Sequence, residues 1–183
     1  MDGLTRLAIG ARAGDLAAIE AFVEASYDQV WRFCCGLTDP SSADDLAQET
    51  FVRAVRSLAG YRGDSTAKTW LLGIARHVCL DHHRSTVRRR RRDTDLCAPA
   101  LARRAAEPDA SSAAVVGDLL DRLDPDRRSA FVLTALVGLS YSEAATVCEC
   151  PVGTIRSRVA RARCDLIEWL AETEDPGIAS TGG

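Results

Sequence analysis

Apolar side chains recur at steps of three and four through the first half of the chain, a spacing that predicts amphipathic helices around a common core. Gly14 and Asp15 divide the first of these runs into two helices. Overlapping Ser-x-x-Asp pairs predict a helix that begins near Ser41 or Ser42, and a further helix is expected to begin around Ala67. The predicted core residues are Leu7, Ala11, Leu16, Ile19, Phe22, Val23, Val30, Trp31, Phe33, Ala47, Phe51, Ala54, Val55, Leu58, Leu71, Ile74, Ala75, Val78 and Leu80.

A second set of helical patterns begins at Ala114 and continues to residue 172. Asp124-Pro125 predicts a helix start, and Gly138 predicts a helix stop. Ser140 and Glu143 have the spacing of a capping box at the start of a short Ala-rich helix, which Cys-Glu-Cys-Pro at 148–151 interrupts. This part is therefore predicted to contain four helices, the last two forming a helix-turn-helix.

The last helix has an apolar stripe on one side and arginines with a hydroxyl on the other. An arginine fork can pair with guanine O6 and N7 in the major groove, so this face suits a recognition helix. A surface amphipathic helix with solvated arginines would show the same periodicity. The stripe comprises Ile155, Val159, Ala162 and Leu166, and the opposite face comprises Arg156, Ser157, Ala160 and Arg161.

These patterns indicate an all-α fold, in which two small helical domains are joined by a flexible linker and the second is a four-helix domain containing the helix-turn-helix. The predicted boundaries are 1–86 for the first domain, 87–113 for the linker, 114–172 for the second domain and 173–183 for a tail. The linker includes the arginine run 88–92, which would either be a solvated part of a tether or hold DNA phosphates.

Composition excludes several classes of protein. The hydrophobic content of 46% with only 5% aromatic residues favours Ala- and Leu-rich helices. No run of about 18 apolar residues and no signal peptide is present, so we expect a cytoplasmic protein without membrane insertion. The net charge of −3 is unusual for a protein that binds nucleic acid alone, but the arginines are concentrated at two places. No catalytic constellation stands out, and no cofactor is predicted.

The cysteines allow a competing interpretation. Seven cysteines in a chain without an export signal indicate reduced thiols. Cys148 and Cys150, beside the recognition helix, could belong to a zinc site or a thiol switch, but a closed zinc site usually has four ligands and only Cys164 follows in the same domain. Small buried hydrophobic side chains are the better account of Cys34, Cys35, Cys79 and Cys148.

The helix-turn-helix sequence resembles the carboxy-terminal DNA-binding domain of extracytoplasmic-function sigma factors. The resemblance rests on GLSY at 138–141 and on CPVGTIRSR at 150–158, which are more specific than a general helix-turn-helix pattern. It implies that this domain reads the minus-thirty-five promoter element. The residues implied in that contact are Thr154, Arg156, Ser157, Arg158 and Arg161.

Two segments of the first domain are also similar to this family. DDLAQETF at 44–51 resembles the helix with which sigma factors bind the coiled-coil clamp of the largest polymerase subunit, which implies a polymerase-binding face of Asp45, Gln48, Glu49 and Val52. The segment 61–84 resembles the one that melts the minus-ten element and holds a flipped base. His77 stands where asparagine is common in the family. The minus-ten residues so implied are Tyr61, Asp64, Ser65, Lys68, Trp70, Arg76, His77 and Arg84.

The chain is therefore identified as a member of the extracytoplasmic-function sigma factors. The resemblance implies that it binds core RNA polymerase and promoter DNA, has no active site of its own and is held inactive by an anti-sigma factor. A stand-alone helix-turn-helix regulator is the alternative, and it would bind duplex DNA tightly without polymerase. A metal-dependent enzyme is a third hypothesis, which stoichiometric zinc would favour.

Overall fold

The computed structural model describes residues 1–96 and 112–174, and within these ranges the regular structure is helical. Most of the predicted linker and tail, residues 97–111 and 175–183, lies outside the described residues. No helix within the described ranges combines the length and apolar character that crossing a membrane requires. The helices are α1 (Gly3–Ala11), α2 (Leu16–Leu37), α3 (Pro40–Ser57), α4 (Ala67–Leu96), α5 (Ser112–Arg122), α6 (Pro125–Phe131), α7 (Tyr141–Cys148) and α8 (Val152–Glu174).

The boundaries in the first domain follow from local capping. Gly14 has a φ of 82° between α1 and α2, which confirms the predicted division. Helix α3 begins at Pro40, slightly before the predicted start at Ser41 or Ser42. The reason is that Asp39 caps the helix by accepting a hydrogen bond from the Ser42 N–H at 3.1 Å, while a proline is well suited to the first turn.

Helices α1 to α4 pack around a core that the sequence predicted in large part. Its largest fully buried side chains include Phe22, Phe33 and Leu71. Leu16 and Val55 were also expected in the core, but 75% and 37% of their surfaces are exposed. Leu16 lies in the first turn of α2 and Val55 in the last turn of α3, away from the centre of the helix packing.

Helix α4 continues well beyond residue 86, the predicted end of the first domain. It runs for 30 residues to Leu96, so residues 87–96 of the predicted linker are helical. Arginine has a high helix propensity, which explains why the arginine run extends the helix although its like charges suggested a tether. At 1.5 Å per residue, the helix is about 45 Å long.

The helix-turn-helix forms as the sequence predicted. Asp124 caps α6, and Gly138, with a φ of 76°, ends the π-helical segment Val132–Leu136 that follows. Both hydrogen bonds of the capping box are present: Glu143 N–H donates to Ser140 Oγ at 3.2 Å, and Ser140 N–H donates to Glu143 Oε2 at 2.9 Å. The turn before α8 is closed by Glu149, whose φ of 52° is left-handed.

The apolar stripe of α8 is buried as expected. Ile155, Val159 and Ala162 are almost completely inaccessible, and Leu166 packs with Leu119 and other residues of α5 in a smaller cluster at the far end of the domain. The four predicted helices of the second domain thus form one unit around the stripe of α8.

The two domains pack directly against each other. Helix α4 lies against α7, while α2 lies against α5, α6 and the π-helical segment, so one hydrophobic cluster runs through both domains. Gly36 of α2 faces Val132 so closely that an added Cβ would lie 2.6 Å from Val132 Cγ1. Arg128 is buried at the contact, where its Nε donates to the Gly36 carbonyl oxygen at 2.7 Å and its Nη1 pairs with Asp121.

We expect Ser140→Ala to lower the free energy of unfolding of the second domain by about 1 kcal/mol, because the first turn of α7 loses its side-chain cap. Urea denaturation followed by circular dichroism measures this loss. Ser140→Thr is the matched control, because it keeps a hydroxyl at the cap. Equal unfolding midpoints for the two variants would contradict the prediction.

The same cap makes a pH-dependent contribution. The pKa of Glu143 is lowered chiefly because the Ser140 hydroxyl donates a hydrogen bond to its carboxylate. A carboxyl group whose pKa is depressed by folding stabilises the fold above its unfolded pKa and loses that effect as the pH falls through the folded pKa. The stability difference between wild type and Ser140→Ala should therefore shrink in acid, and a constant difference would contradict this.

Candidate nucleic-acid and protein interfaces

The outer face of α3 is acidic and accessible. Asp45, Gln48, Glu49 and Val52 are all exposed. The Glu49 carboxylate accepts a hydrogen bond from Arg53 Nε at 2.7 Å, and Arg53 also reaches Asp81 of α4 at 3.5 Å. The hydrogen bond that Arg53 donates to Glu49 is the main cause that raises the pKa of the Arg53 guanidinium. The predicted polymerase-binding residues thus share one exposed surface.

Side chains of α2 hold α3 in position beneath this surface. Trp31 Nε1 donates to Asp44 Oδ1 at 2.7 Å, and the Tyr27 ring stacks on Phe51 with centroids 5.9 Å apart. Burial, followed by the neighbouring Asp44 carboxylate, raises the pKa of Tyr27. The sequence predicted Trp31 only as a core residue. The spacing of apolar residues cannot predict its hydrogen bond to the next helix.

An aromatic pair shapes the start of the predicted minus-ten segment. The rings of Tyr61 and Trp70 are 4.9 Å apart, and Tyr61 Oη donates to the Ser65 carbonyl oxygen at 2.6 Å. Tyr61 is buried and Trp70 is half-buried, so Trp70 is the more accessible ring. Burial is the main cause that raises the pKa of Tyr61. Asp64 is exposed in the intervening loop.

Three of the predicted minus-ten residues contact the second domain. Lys68 Nζ donates to the Val137 carbonyl oxygen at 3.3 Å, and His77 Nε2 lies 3.8 Å from Glu149 Oε1. Arg76 is only 7% exposed, and its Nη2 donates to Asp126 Oδ1 at 2.8 Å. Arg84 is exposed and lies 3.4 Å from Asp81 of its own helix.

Asp126 joins two arginines that the sequence assigned to different promoter elements. Its Oδ1 accepts from Arg76 of the first domain, and its Oδ2 accepts from Arg158 Nη2 at 2.5 Å. Arg158 Nη1 also contacts Cys150 Sγ at 3.6 Å. Helical spacing carries no signal of the two partners of Asp126, so the sequence did not predict them.

The arginine face of α8 is largely exposed. Arg156, Ser157 and Arg161 are exposed, and Thr154 is half-buried in the first turn. Arg158 differs, because its side chain is turned towards Asp126 and only 23% of it is exposed. Arg156 and Arg161 are therefore the more accessible arginines of the predicted contact.

Three of the six cysteines in the part of the chain that the structure describes are buried. Cys34 and Cys79 lie with their Sγ atoms 3.8 Å apart, and the contact with Cys79, followed by burial, raises the pKa of Cys34. Burial likewise raises the pKa of Cys148 to about 11. Cys35 and Cys150 are half-buried, and Cys164 is exposed. Among the described side chains, no three His, Cys, Asp or Glu residues are grouped as a metal site would require.

Two family models match the chain in the expected order. The model for sigma-70 region 2 matches residues 22–90, and the model for sigma-70 region 4 matches residues 114–166. The first match contains α3 and the aromatic pair, and the second contains most of α5, all of α6 and α7, and most of α8. Together they cover more than half of the chain.

Curated relatives agree with these matches. The ECF RNA polymerase sigma factor SigC of Mycobacterium tuberculosis (strain CDC 1551 / Oshkosh) is 46% identical over 185 residues, covering 95% of this chain and 94% of the relative. The RNA polymerase sigma-H factor of Pseudomonas aeruginosa is 38% identical over 140 residues, covering 68% of this chain and 71% of the relative.

Solved structures share the fold of both domains. CnrH in complex with the cytosolic domain of CnrY has a TM-score of 0.74 and 28% identity, covering 93% of this chain and 99% of CnrH. The sigma factor RpoE, in complex with the anti-sigma factor NepR from Bartonella quintana, has a TM-score of 0.70 and 28% identity, covering 83% of this chain and 96% of RpoE. With both sigma-70 regions present in order, the chain belongs to the extracytoplasmic-function sigma factors, the alternative promoter-recognition subunits of RNA polymerase.

Proposed function

We propose that this sigma factor uses three separate surfaces to bind polymerase and promoter DNA. The outer face of α3 docks on core RNA polymerase, the segment 61–84 holds the opened minus-ten strand, and α8 reads the minus-thirty-five element. The observation that carries the proposal is the joint exposure of an acidic and amide face on α3 and of an arginine face on α8, in a chain that matches both sigma-70 regions.

Charge complementarity supports docking through α3. Asp45 and Glu49 supply carboxylates, Gln48 supplies an amide and Val52 supplies an exposed apolar contact, which together suit a basic coiled coil. The packing of α2 beneath α3 keeps this face in place. Because the protein then reaches DNA as part of a larger complex, a net charge of −3 is compatible with promoter binding.

Stacking and phosphate contacts support the role of segment 61–84. Bases of a single strand stack on aromatic rings, while lysines and arginines follow the backbone. Trp70, supported by Tyr61, offers the ring, and Arg84 offers an exposed guanidinium. Lys68, Arg76 and His77 become available for this contact when the second domain moves away.

The remaining assignments follow from the family. We propose that the protein is not an enzyme, since polymerase carries out the chemistry, and that it acts in the cytoplasm. We also propose that it has an anti-sigma partner, as RpoE has in its complex with NepR. The stand-alone regulator is less favoured, because it would use only the second domain and leave the region 2 match at 22–90 without a function.

We expect Glu49→Lys to weaken binding to core polymerase by about tenfold or more, because it places a positive charge opposite a basic partner. The measurement is the dissociation constant with purified core polymerase. The exposed Glu49–Arg53 pair adds little to stability, so folding should change little.

Glu168→Lys is the control, because it makes the same charge change at an exposed position on α8 of the second domain. It should leave the affinity for core polymerase unchanged. Equal affinities for wild type and Glu49→Lys would remove α3 from the docking surface.

Arg156→Ala or Arg161→Ala should lose about 1–3 kcal/mol of discrimination at one or two upstream base pairs, if that arginine reads bases. Selection of duplexes from a randomised library by the holoenzyme, followed by sequencing, measures the loss at each position. Arg163→Ala, at another exposed arginine of the same helix, is the comparison. A uniform fall in affinity across all sequences would instead identify a phosphate contact.

A further inference from the structure

Two thiols from different helices meet in the core of the first domain. Cys34 lies near the end of α2, and Cys79 lies near the middle of α4. Their exposed fractions are 0% and 2%, and the Cys79 thiol donates to Cys34 Sγ with the two sulfurs 3.8 Å apart. The sequence predicted each of them only as a small buried hydrophobic side chain. Because they are 45 positions apart, their contact is a feature of the fold that helical spacing does not reveal.

A disulfide at this contact requires only a small local movement. Bonded sulfurs are about 2.0 Å apart, so Cys34 Sγ and Cys79 Sγ would approach each other by about 1.8 Å. The two sulfurs touch directly, and no other side chain has to be displaced from between them. Helices α2 and α4 already pack against each other, so the backbones that carry the thiols are neighbours.

A small cavity gives access to one of the two thiols. It has a volume of about 30 Å³, and Cys79 lines it together with Leu37, His83, Arg128 and others. A cavity needs roughly 10–15 Å³ to hold a water molecule, so this one admits a small neutral molecule such as hydrogen peroxide. Cys34 does not line the cavity. Cys79 is therefore the thiol that a small oxidant reaches first.

The contact also gives the two sulfurs different roles. The pKa of Cys34 is raised, first by its contact with Cys79 and then by burial, so Cys34 stays protonated. When Cys79 loses its proton, the Cys34 S–H group can donate to the Cys79 thiolate and stabilise it. Because the thiolate is the form of cysteine that attacks an oxidant, Cys79 is the attacking sulfur and Cys34 is the resolving thiol.

We propose that Cys34 and Cys79 form a redox site that converts from a dithiol to a disulfide, with a peroxide as the oxidant. The Cys79 thiolate attacks a peroxide oxygen: an S–O bond forms, the O–O bond breaks, and the departing hydroxide takes up the proton that Cys79 had lost. Cys34 then attacks the Cys79 sulfur, forming the S–S bond and breaking the S–O bond, and its proton leaves with the oxygen as water. Two thiols are oxidised, and one peroxide is reduced to two water molecules.

The disulfide would tie together the two helices that support the surfaces of the first domain. Helix α2 holds α3 in position, and α4 carries most of segment 61–84. The bond would close a loop of 45 residues, which restricts the unfolded chain and stabilises the folded domain. Where thiols are normally kept reduced, disulfides of this kind are usually transient and report oxidation. The proposal is independent of which surface binds polymerase or DNA.

Peptide mapping of the full chain tests the chemistry. The reduced protein is treated with hydrogen peroxide while folded, the remaining thiols are blocked with N-ethylmaleimide in denaturant, and the protein is digested with trypsin without reductant. We expect a product that joins peptide 33–53 to peptide 77–84 and that dithiothreitol separates. Cys35 lies in the same peptide as Cys34, so Cys35→Ser is mapped as well and should give the same product.

Thermal unfolding measures the effect on stability. The oxidised wild type should unfold at a temperature about 10 °C higher than the reduced wild type. Cys34→Ala should abolish both the cross-link and this increase. Cys148→Ala is the matched control, because it removes a buried thiol of the second domain, and it should keep both. Each comparison is made between the oxidised and reduced forms of one variant, so a loss of stability caused by the substitution itself cancels.

Three results would contradict the proposal. Complete recovery of Cys34 and Cys79 as blocked thiols, under conditions that oxidise the exposed Cys164, would show that the pair does not react. A cross-link from Cys79 to Cys35 in place of Cys34 would show that the wrong resolving thiol was assigned. A cross-linked wild type with an unchanged unfolding temperature would overturn the stabilising effect of the disulfide.

Discussion

The contact of α2 and α4 with the second domain is the interaction on which the arrangement of the molecule depends. It is possible because Gly36 has no side chain where Val132 approaches, and because Arg128 satisfies the Gly36 carbonyl oxygen. Buried polar groups are costly unless they are hydrogen-bonded, so apolar packing and these polar contacts have to form together. The result is one continuous core through two domains that separate family models describe.

The same contact determines which charged side chains are accessible at the boundary between the domains. A carboxylate of α6 neutralises an arginine of α4, and a glutamate of the helix-turn-helix faces the neighbouring histidine. Pairs of this kind weaken with increasing salt where they are exposed, and much less where they are buried. The acidic face of α3 and the arginine face of α8 lie outside the contact and remain exposed.

The sequence predicted the features that depend on local physics. The capping box at Ser140, the stop at Gly138 and the buried stripe of α8 all follow from neighbouring residues, and the structure confirms them. It did not predict that Arg76 pairs with Asp126, because the two residues are 50 positions apart and neither interrupts the helical spacing. The sequence did not predict that the arginine run is helical, because its like charges favour an extended tether while the helix propensity of arginine favours a helix.

Reconstituted transcription tests the central claim most directly. Purified core polymerase, this protein and a pool of genomic promoter fragments are combined, and the transcripts are sequenced. The account predicts discrete transcripts that appear only when both proteins are present, with start sites downstream of shared minus-ten and minus-thirty-five sequences. The absence of such transcripts, together with a failure of the protein to co-elute with core polymerase, would contradict it.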